Sequence, residues 1–141
     1  PITDRRVNSA VTFITGHESG GGPPAGLDWP ALASGAPVLI LYMALKHLAW
    51  MAERLVAAGR AADTAVILIS KATLAGQQIV ETSLARAAED AAAANLEAPA
   101  IIAIGDVVGL RAALDPGSTP EARARAALEF LSARAIEETA P

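Results

Sequence analysis

The sequence contains no cysteine, and this absence excludes several kinds of site at once. Disulfide bonds, thiolate metal sites, iron–sulfur clusters and a cysteine nucleophile all require the residue. Only two histidines are present, His17 and His47, so a metal site would need carboxylate ligands as well. We therefore expect no metal. A chain without cysteine is typical of the reducing cytoplasm, where we expect this protein to act.

The chain also lacks an excess of positive charge. It carries 11 Lys and Arg against 15 Asp and Glu, a net charge of −4. The net charge of the chain does not favour binding to nucleic acid or to an anionic membrane. An anionic ligand must therefore bind to a local group of basic residues. The most apolar window, residues 36–52, is about the minimum length for a bilayer span but contains Lys46 and His47. We interpret it as a buried strand followed by a helix, and the polar first residues do not resemble a signal peptide.

Sequence motifs for common catalytic sites are missing as well. No Ser–His–Asp arrangement and no phosphate-binding loop of the Walker type can be recognised. The run Gly20-Gly21-Gly22 lacks the strand-to-helix context of a dinucleotide-binding fingerprint. It lies in the loop 16–26, whose glycines and prolines predict a flexible connection of a kind that is often functional.

Short apolar runs alternate with amphipathic stretches along the chain. Strands are predicted over residues 11–15, 37–42, 64–70, 77–82 and 100–104. Helices are predicted from Asp28 or Trp29 through Leu32, over residues 45–58, 84–94 and 108–114, and from Ser118. The strand 77–82 is of mixed polarity and is expected at a sheet edge, whereas the fully apolar runs are typical of strands covered on both faces. The pattern predicts an α/β fold with a mixed, largely parallel sheet flanked by helices.

Particular residues mark the ends of these helices. Asp28 or Trp29 is expected to lead into the first, and Gly59 and Asn95 are expected to end the helices before them. Ser83, or the threonine before it, is the predicted cap of helix 84–94, and Ser118 that of the last helix.

The residues that follow predicted strands are the first candidates for a ligand site, since ligands bind beyond the carboxyl ends of strands in open α/β sheets. These residues are Gly16-His17, Met43-Ala44, Lys71-Ala72-Thr73 and Gly105-Asp106. Taken alone, His17 is interpreted as a turn residue and His47 as a surface or interface residue.

Six segments of the chain form a recognisable series: Pro1–Arg5, Thr12–His17, Leu27–Trp29, Leu39–Leu45, Ala72–Gln77 and Pro99–Val108. They resemble, in the same order, the segments GIPLTHR, TFVTGH, LDW, LVIYMGL, ATLPGQ and PALIVVGEVV of uroporphyrinogen III methyltransferases, in the tetrapyrrole methylase family. The resemblance covers residues 1–114, which we interpret as the C-terminal domain of that fold. Residues 115–141 are interpreted as a C-terminal helical extension.

The resemblance implies a homodimeric enzyme that methylates uroporphyrinogen III to precorrin-2 with S-adenosylmethionine. It also implies an N-terminal domain with a GxGPGD segment, which this chain lacks, and a methyl donor bound between the two domains. The chain would therefore supply only part of the active site. The absence of an acid–base motif agrees with this chemistry, because methyl transfer from a sulfonium to carbon needs alignment more than proton transfer.

The resemblance assigns few residues to the site. Met43, Ala72 and Ala100 match positions that line the S-adenosylmethionine pocket. Arg5 matches an arginine near the acidic side chains of the substrate, to which a guanidinium can bind in bidentate fashion. No catalytic residue is assigned. The chain departs from the family pattern at three positions near these residues: Asp4, Ala44 and Lys71.

Three other interpretations remain open. The first is a sister methylase that acts on a later precorrin. The second is the tail of a multifunctional siroheme synthase. The third is a non-catalytic domain used for dimerisation or ligand binding. Products leading to siroheme, cobalamin or haem d1 are equally compatible with the pattern.

Overall fold

The protein is built on one five-stranded sheet in a computed structural model that describes residues 2–115 and 119–139. Its strands are β1 (Thr12–Thr15), β2 (Leu39–Tyr42), β3 (Ala65–Ser70), β4 (Gln78–Ser83) and β5 (Ala100–Ile104). Their order in the sheet is β1-β2-β5-β3-β4. All five predicted strands are confirmed, and β4 lies at an edge as its mixed polarity predicted.

Helices fill the connections between the strands. They are α1 (Trp29–Gly35), α2 (Leu48–Ala57), α3 (Ala87–Ala93), α4 (Arg111–Leu114) and α5 (Pro120–Thr139). Short 3₁₀ turns at Leu45–His47, Leu84–Arg86 and Asp106–Leu110 precede α2, α3 and α4. The predicted helices are therefore confirmed, with a first turn that is tighter than an α-helix in three of them. None of the described helices combines the length and apolarity needed to cross a membrane.

The α/β class and the mixed sheet are confirmed, but the expectation of a largely parallel sheet is wrong. Among the strands of the described residues, β1 and β2 alone pair in parallel, while β2–β5, β5–β3 and β3–β4 are antiparallel. The short connection between β3 and β4 forms a hairpin, which requires antiparallel strands. The last strand, β5, then enters between β2 and β3 in the opposite direction. An apolar run indicates that a strand is buried, but it does not indicate the direction of that strand.

The main core lies between one face of the sheet and α1, α2 and α3. Leu39, Leu41, Leu68 and Ile102 from the central strands are fully buried there. They meet Leu48, Met51 and Leu55 of α2, which recur at helical spacing. Burial of a side chain of this size contributes roughly 1.5–3 kcal/mol to stability.

The second face of the sheet is covered in part by the end of the chain. Val38 and Ile40 point to this face and pack against Val107 and Leu110, with Phe130 of α5 beside them. The helix predicted after Ser118 is present as α5, and its Phe130 packs against this cluster. The boundary between a domain at 1–114 and an extension at 115–141 remains a prediction.

Most of the predicted helix ends are confirmed. Asp28 Oδ1 accepts a hydrogen bond from the Ala31 N–H at 3.0 Å and caps α1. Gly59 and Asn95 end α2 and α3 with positive φ angles of 100° and 50°. Ser83 occupies the N-cap position before α3, at the start of the 3₁₀ turn Leu84–Arg86, but its side chain makes no capping hydrogen bond. Ser118 lies outside the described residues.

Candidate ligand-binding site

The directions of the strands bring four segments together at one edge of the sheet. The strands β1, β2 and β3 all end there, and β5 begins there because it runs the opposite way. Ser70 lies opposite Ala100 in the register, and Tyr42 lies opposite Ile101. The residues that follow β2 and β3 therefore meet those that precede β5.

A cavity of about 700 Å3 opens at this edge. It is lined by His17, Tyr42, Met43, Leu45, Lys46, Lys71, Ala72, Leu74, Ala98, Pro99, Ala100 and Ile101. Its walls are mainly apolar, with three basic side chains among them. Met43, Ala72 and Ala100, the three residues assigned to a cofactor pocket, all line this one cavity. We refer to it as the edge pocket.

The backbone around the edge pocket adopts conformations that are uncommon for side-chain-bearing residues. Met43, Lys71 and Thr73 have φ angles of 52°, 50° and 67°. Non-glycine residues with positive φ often occur at binding sites, where the surrounding structure holds them in place. Here the Lys71 N–H donates to the Pro99 carbonyl at 2.9 Å, which fixes the turn after β3 against the segment before β5.

Lys71, one of the departures from the family pattern, forms an ion pair at the pocket. Its Nζ lies 2.7 Å from a carboxylate oxygen of Glu97. The hydrogen bond and the charge of Lys71 lower the pKa of Glu97 below its usual value. The neighbouring Ser70 is fully buried, and its hydroxyl donates to the Glu97 carbonyl at 2.5 Å. Positions 70 and 71 thus hold the segment that leads into β5.

The glycine-rich loop 16–26 borders the same pocket. His17 lines the cavity, so it is placed at a candidate site as well as in a turn. Within the loop, the Ala25 N–H donates to Glu18 Oε1 at 3.0 Å. The His47 Nε2 atom lies 3.1 Å from the Gly21 carbonyl oxygen. This contact ties the loop to the 3₁₀ turn before α2, so His47 acts as an internal contact residue.

Two predicted positions lie away from the edge pocket. Gly105-Asp106 was expected beside it, and this is wrong because β5 is antiparallel to β2 and ends at the opposite edge. Arg5 is exposed, in a turn whose Val7 and Asn8 line a separate cavity of about 330 Å3 together with Asp106. The structure does not bring Arg5 to the edge pocket, and its contact with substrate stays a prediction.

Asp4, the departure next to Arg5, organises that turn. Its carboxylate accepts hydrogen bonds from the Arg6 N–H and Nε at 3.0 Å and from Nη2 at 2.8 Å. These bonds hold the pKa of Asp4 at about 2. The ion pair is therefore present above the ordinary carboxyl pKa near 3.8 and is lost as the pH falls through about 2.

We expect the substitution Arg6→Met to raise the pKa of Asp4 from about 2 toward its model-peptide value of 3.8, because the strongest donor to the carboxylate is removed. The measurement is an NMR titration of the Asp4 carboxyl carbon in both proteins. Arg86→Met, which breaks the Asp90 ion pair elsewhere, is the control and should leave Asp4 unchanged. An Asp4 titration that is the same in all three proteins would contradict the assignment.

Several lining residues were not identified from the sequence. Tyr42 and Leu74 flank Met43 and Ala72 in the chain, so their proximity could have been inferred from the two assigned positions. Lys46 was seen only as a charge in an apolar window, although it lies three residues after Met43. Pro99 directly precedes Ala100, so its proximity could have been inferred in the same way. Among the described residues, no group of three or more His, Asp and Glu could hold a metal ion.

Comparison with known proteins identifies the family to which the chain belongs. The sequence profile of the tetrapyrrole (corrin/porphyrin) methylases matches residues 1–88. A uroporphyrinogen-III C-methyltransferase from Sinorhizobium sp is 50% identical over 115 residues, covering 82% of this chain and 41% of the relative. An S-adenosyl-L-methionine-dependent uroporphyrinogen III methyltransferase from Methanosarcina barkeri is 42% identical, over 78% of this chain and 43% of the relative.

A solved structure shows the same fold and extends the comparison. Uroporphyrin-III C-methyl transferase from Thermus thermophilus, complexed with S-adenyl homocysteine, superposes with a TM-score of 0.66 and 26% identity. The match covers 77% of this chain and 47% of the Thermus chain. This chain thus spans less than half the length of these relatives. The profile match and the shared fold show that the chain belongs to the tetrapyrrole methylase family.

Proposed function

We propose that this chain forms part of the active site of an S-adenosylmethionine-dependent uroporphyrinogen-III C-methyltransferase, which converts uroporphyrinogen III to precorrin-2. The observation that carries the proposal is the edge pocket. Its walls come from segments that resemble the family motifs, and it gathers Met43, Ala72 and Ala100 in one place. The identity of 50% with the Sinorhizobium methyltransferase supports the same activity.

The edge pocket fits a nucleoside ligand in size and chemistry. Its volume of about 700 Å3 lies within the usual range for small-molecule sites, which are mostly apolar with a few polar groups. Ala72 and Ala100 present only methyl groups to the cavity, and this leaves room for an adenine ring to approach the backbone. Met43 is 61% exposed at the end of β2, where its flexible thioether can pack against a ligand.

S-adenosylmethionine bound here would supply the methyl group of its sulfonium to a nucleophilic pyrrole carbon, leaving S-adenosylhomocysteine, and the methylated pyrrole would release a proton. The chain's own residues bind and orient the reactants. Holding donor and acceptor in line converts a bimolecular reaction into an effectively unimolecular one, so alignment by the pocket walls would contribute directly to the rate. The positive φ angles at Met43, Lys71 and Thr73 support a preorganised wall for this purpose.

The proposal includes partners of two kinds. Uroporphyrinogen III carries several carboxylates, and we assign Arg5 to contact one of them from the segment before β1. The remaining part of the active site would come from an N-terminal methylase domain, since the relatives are more than twice as long as the matched region.

A homodimer is favoured by exposed apolar side chains such as Phe13, which is 59% exposed and stacks on Tyr42. The cysteine-free composition supports a cytoplasmic location.

A siroheme synthase is the second candidate. The siroheme synthase of Zymomonas mobilis is 40% identical over 81% of this chain but only 23% of its own length. In such a protein the same methyl transfer would be one of several activities. The lower identity compared with the Sinorhizobium enzyme favours the dedicated methyltransferase.

The test is to incubate the complete gene product that carries this chain, and the 141-residue chain alone, with uroporphyrinogen III and methyl-labelled S-adenosylmethionine. We expect the gene product to add two methyl groups, measured by mass spectrometry of the tetrapyrrole, and the chain alone to add none. A gene product that methylates a later precorrin instead would favour the sister methylase. Absence of methyl transfer to any tetrapyrrole would favour a non-catalytic domain.

A further inference from the structure

The edge pocket carries a local excess of positive charge. Two lysines line it, Lys46 and Lys71, and none of its described lining residues is an Asp or Glu. This contrasts with the net charge of −4 for the whole chain. Glu97 lies 2.7 Å from Lys71 and balances its charge. Lys46 is therefore the lysine whose charge remains available to a ligand.

The backbone that carries Lys46 is well fixed. The residue lies in the 3₁₀ turn Leu45–His47, directly after the fully buried Ala44. The His47 N–H donates to the Ala44 carbonyl at 2.9 Å and closes this turn. The contact between His47 and Gly21 attaches the turn to the glycine-rich loop as well. The backbone position of Lys46 beside the pocket is thus fixed on both sides.

The Lys46 ammonium has no ion-pair partner within residues 2–115 and 119–132, for which side chains are described. Long lysine side chains commonly lay their methylene groups along an apolar surface and keep the charge at the water boundary. The edge pocket offers such a surface in Leu45, Leu74 and Ile101. A carboxylate that enters beside this wall would meet a cation in partly desolvated surroundings, where a charge-assisted hydrogen bond is strong.

We propose that Lys46 binds a carboxylate of the ligand in the edge pocket and makes the site favour ligands that carry this carboxylate over ligands that lack it. The inference rests on the proposed function, which supplies two carboxylate sources. One is the amino-acid end of the methyl donor, and the other is an acidic side chain of the tetrapyrrole. Both present the same chemistry to the ammonium group, and their affinities can be measured separately.

The test compares the complete gene product with its Lys46→Met variant, using three probes at equilibrium. S-adenosylhomocysteine contains the amino-acid carboxylate, 5′-methylthioadenosine is the same nucleoside without it, and uroporphyrin III carries the tetrapyrrole carboxylates. We expect the variant to bind either S-adenosylhomocysteine or uroporphyrin about tenfold more weakly, and methylthioadenosine equally well. The affected probe identifies the carboxylate. Lys46→Arg, which keeps the charge, should restore most of the affinity.

Arg125→Met is the matched control, since it also removes one positive charge, from exposed α5. It should leave all three affinities unchanged. The inference is overturned if Lys46→Met binds every probe as the wild type does, or if methylthioadenosine weakens as much as the charged ligands. If the wild-type protein binds no probe and methylates no tetrapyrrole, both this inference and the proposed function are overturned. If the wild type binds the probes and methylates its substrate, the proposed function stands and the Lys46 variants test this inference alone.

Discussion

Replacing Gly16 by alanine is expected to lower the free energy of unfolding by about 3 kcal/mol, near the upper end for overpacking of a well-packed site. A Cβ atom at this position would lie 2.1 Å from the Cα and 2.6 Å from the Cβ of Ala44. The neighbour is backbone, so it cannot rotate away as a flexible side chain would. The Gly16 N–H also donates to the Tyr42 carbonyl at 2.6 Å, and a shift would weaken that bond. Urea denaturation of both proteins gives the difference.

Gly20→Ala is the matched control for this substitution, because no atom lies within 4 Å of the added Cβ. It should change stability little. The double variant Gly16→Ala with Ala44→Gly should recover only part of the loss, since the Ala44 Cα remains in place. Equal stability of Gly16→Ala and Gly20→Ala would show that β1 and the turn after β2 can separate at no cost, and would contradict the close approach.

The elements of the fold were predictable because each of them leaves a local signal. The apolar runs that became β2, β3 and β5 are short, uninterrupted and bounded by turn residues, and such runs indicate buried strands. Asp28 and Gly59 marked helix ends because capping depends on the chemistry of a single residue. Strand direction depends on which strands become neighbours, and this is a property of the whole sheet. The antiparallel entry of β5 was therefore missed.

The same distinction applies to the candidate site. Met43 follows β2 and Ala72 follows β3. These two strands run in the same direction and end at the same edge of the sheet, so the two residues lie together regardless of the direction of β5. Ala100 begins its strand, and only the resemblance to the methylases placed it with the other two. Asp106 was misplaced because it follows the strand that runs the opposite way. The ion pair of Lys71 with Glu97 joins residues 26 positions apart, a separation at which sequence alone gives no pairing signal.

Filling the edge pocket from the turn after β3 should produce the largest effect on binding. We expect Ala72→Phe to weaken the binding of S-adenosylhomocysteine by about a hundredfold, equivalent to about 2.7 kcal/mol. The reason is steric, since Ala72 lines the cavity and a benzyl group there would occupy space that an adenine ring needs. Ala72 is only partly buried, so the protein should keep its stability. Calorimetric titration of the complete gene product measures the affinity, and urea denaturation checks the fold.

Ala75→Phe, in the same turn, is the control for the added volume of the phenylalanine side chain. Ala75 is exposed and does not line the cavity, so the same increase in volume should leave the affinity for S-adenosylhomocysteine within about twofold of the wild type, or about 0.4 kcal/mol. A large loss with Ala72→Phe alone would assign the adenosine ligand to the edge pocket. Equal affinity in both variants would place the ligand elsewhere and remove the main support for the methyltransferase site, because the strand ends that converge here would then hold no donor.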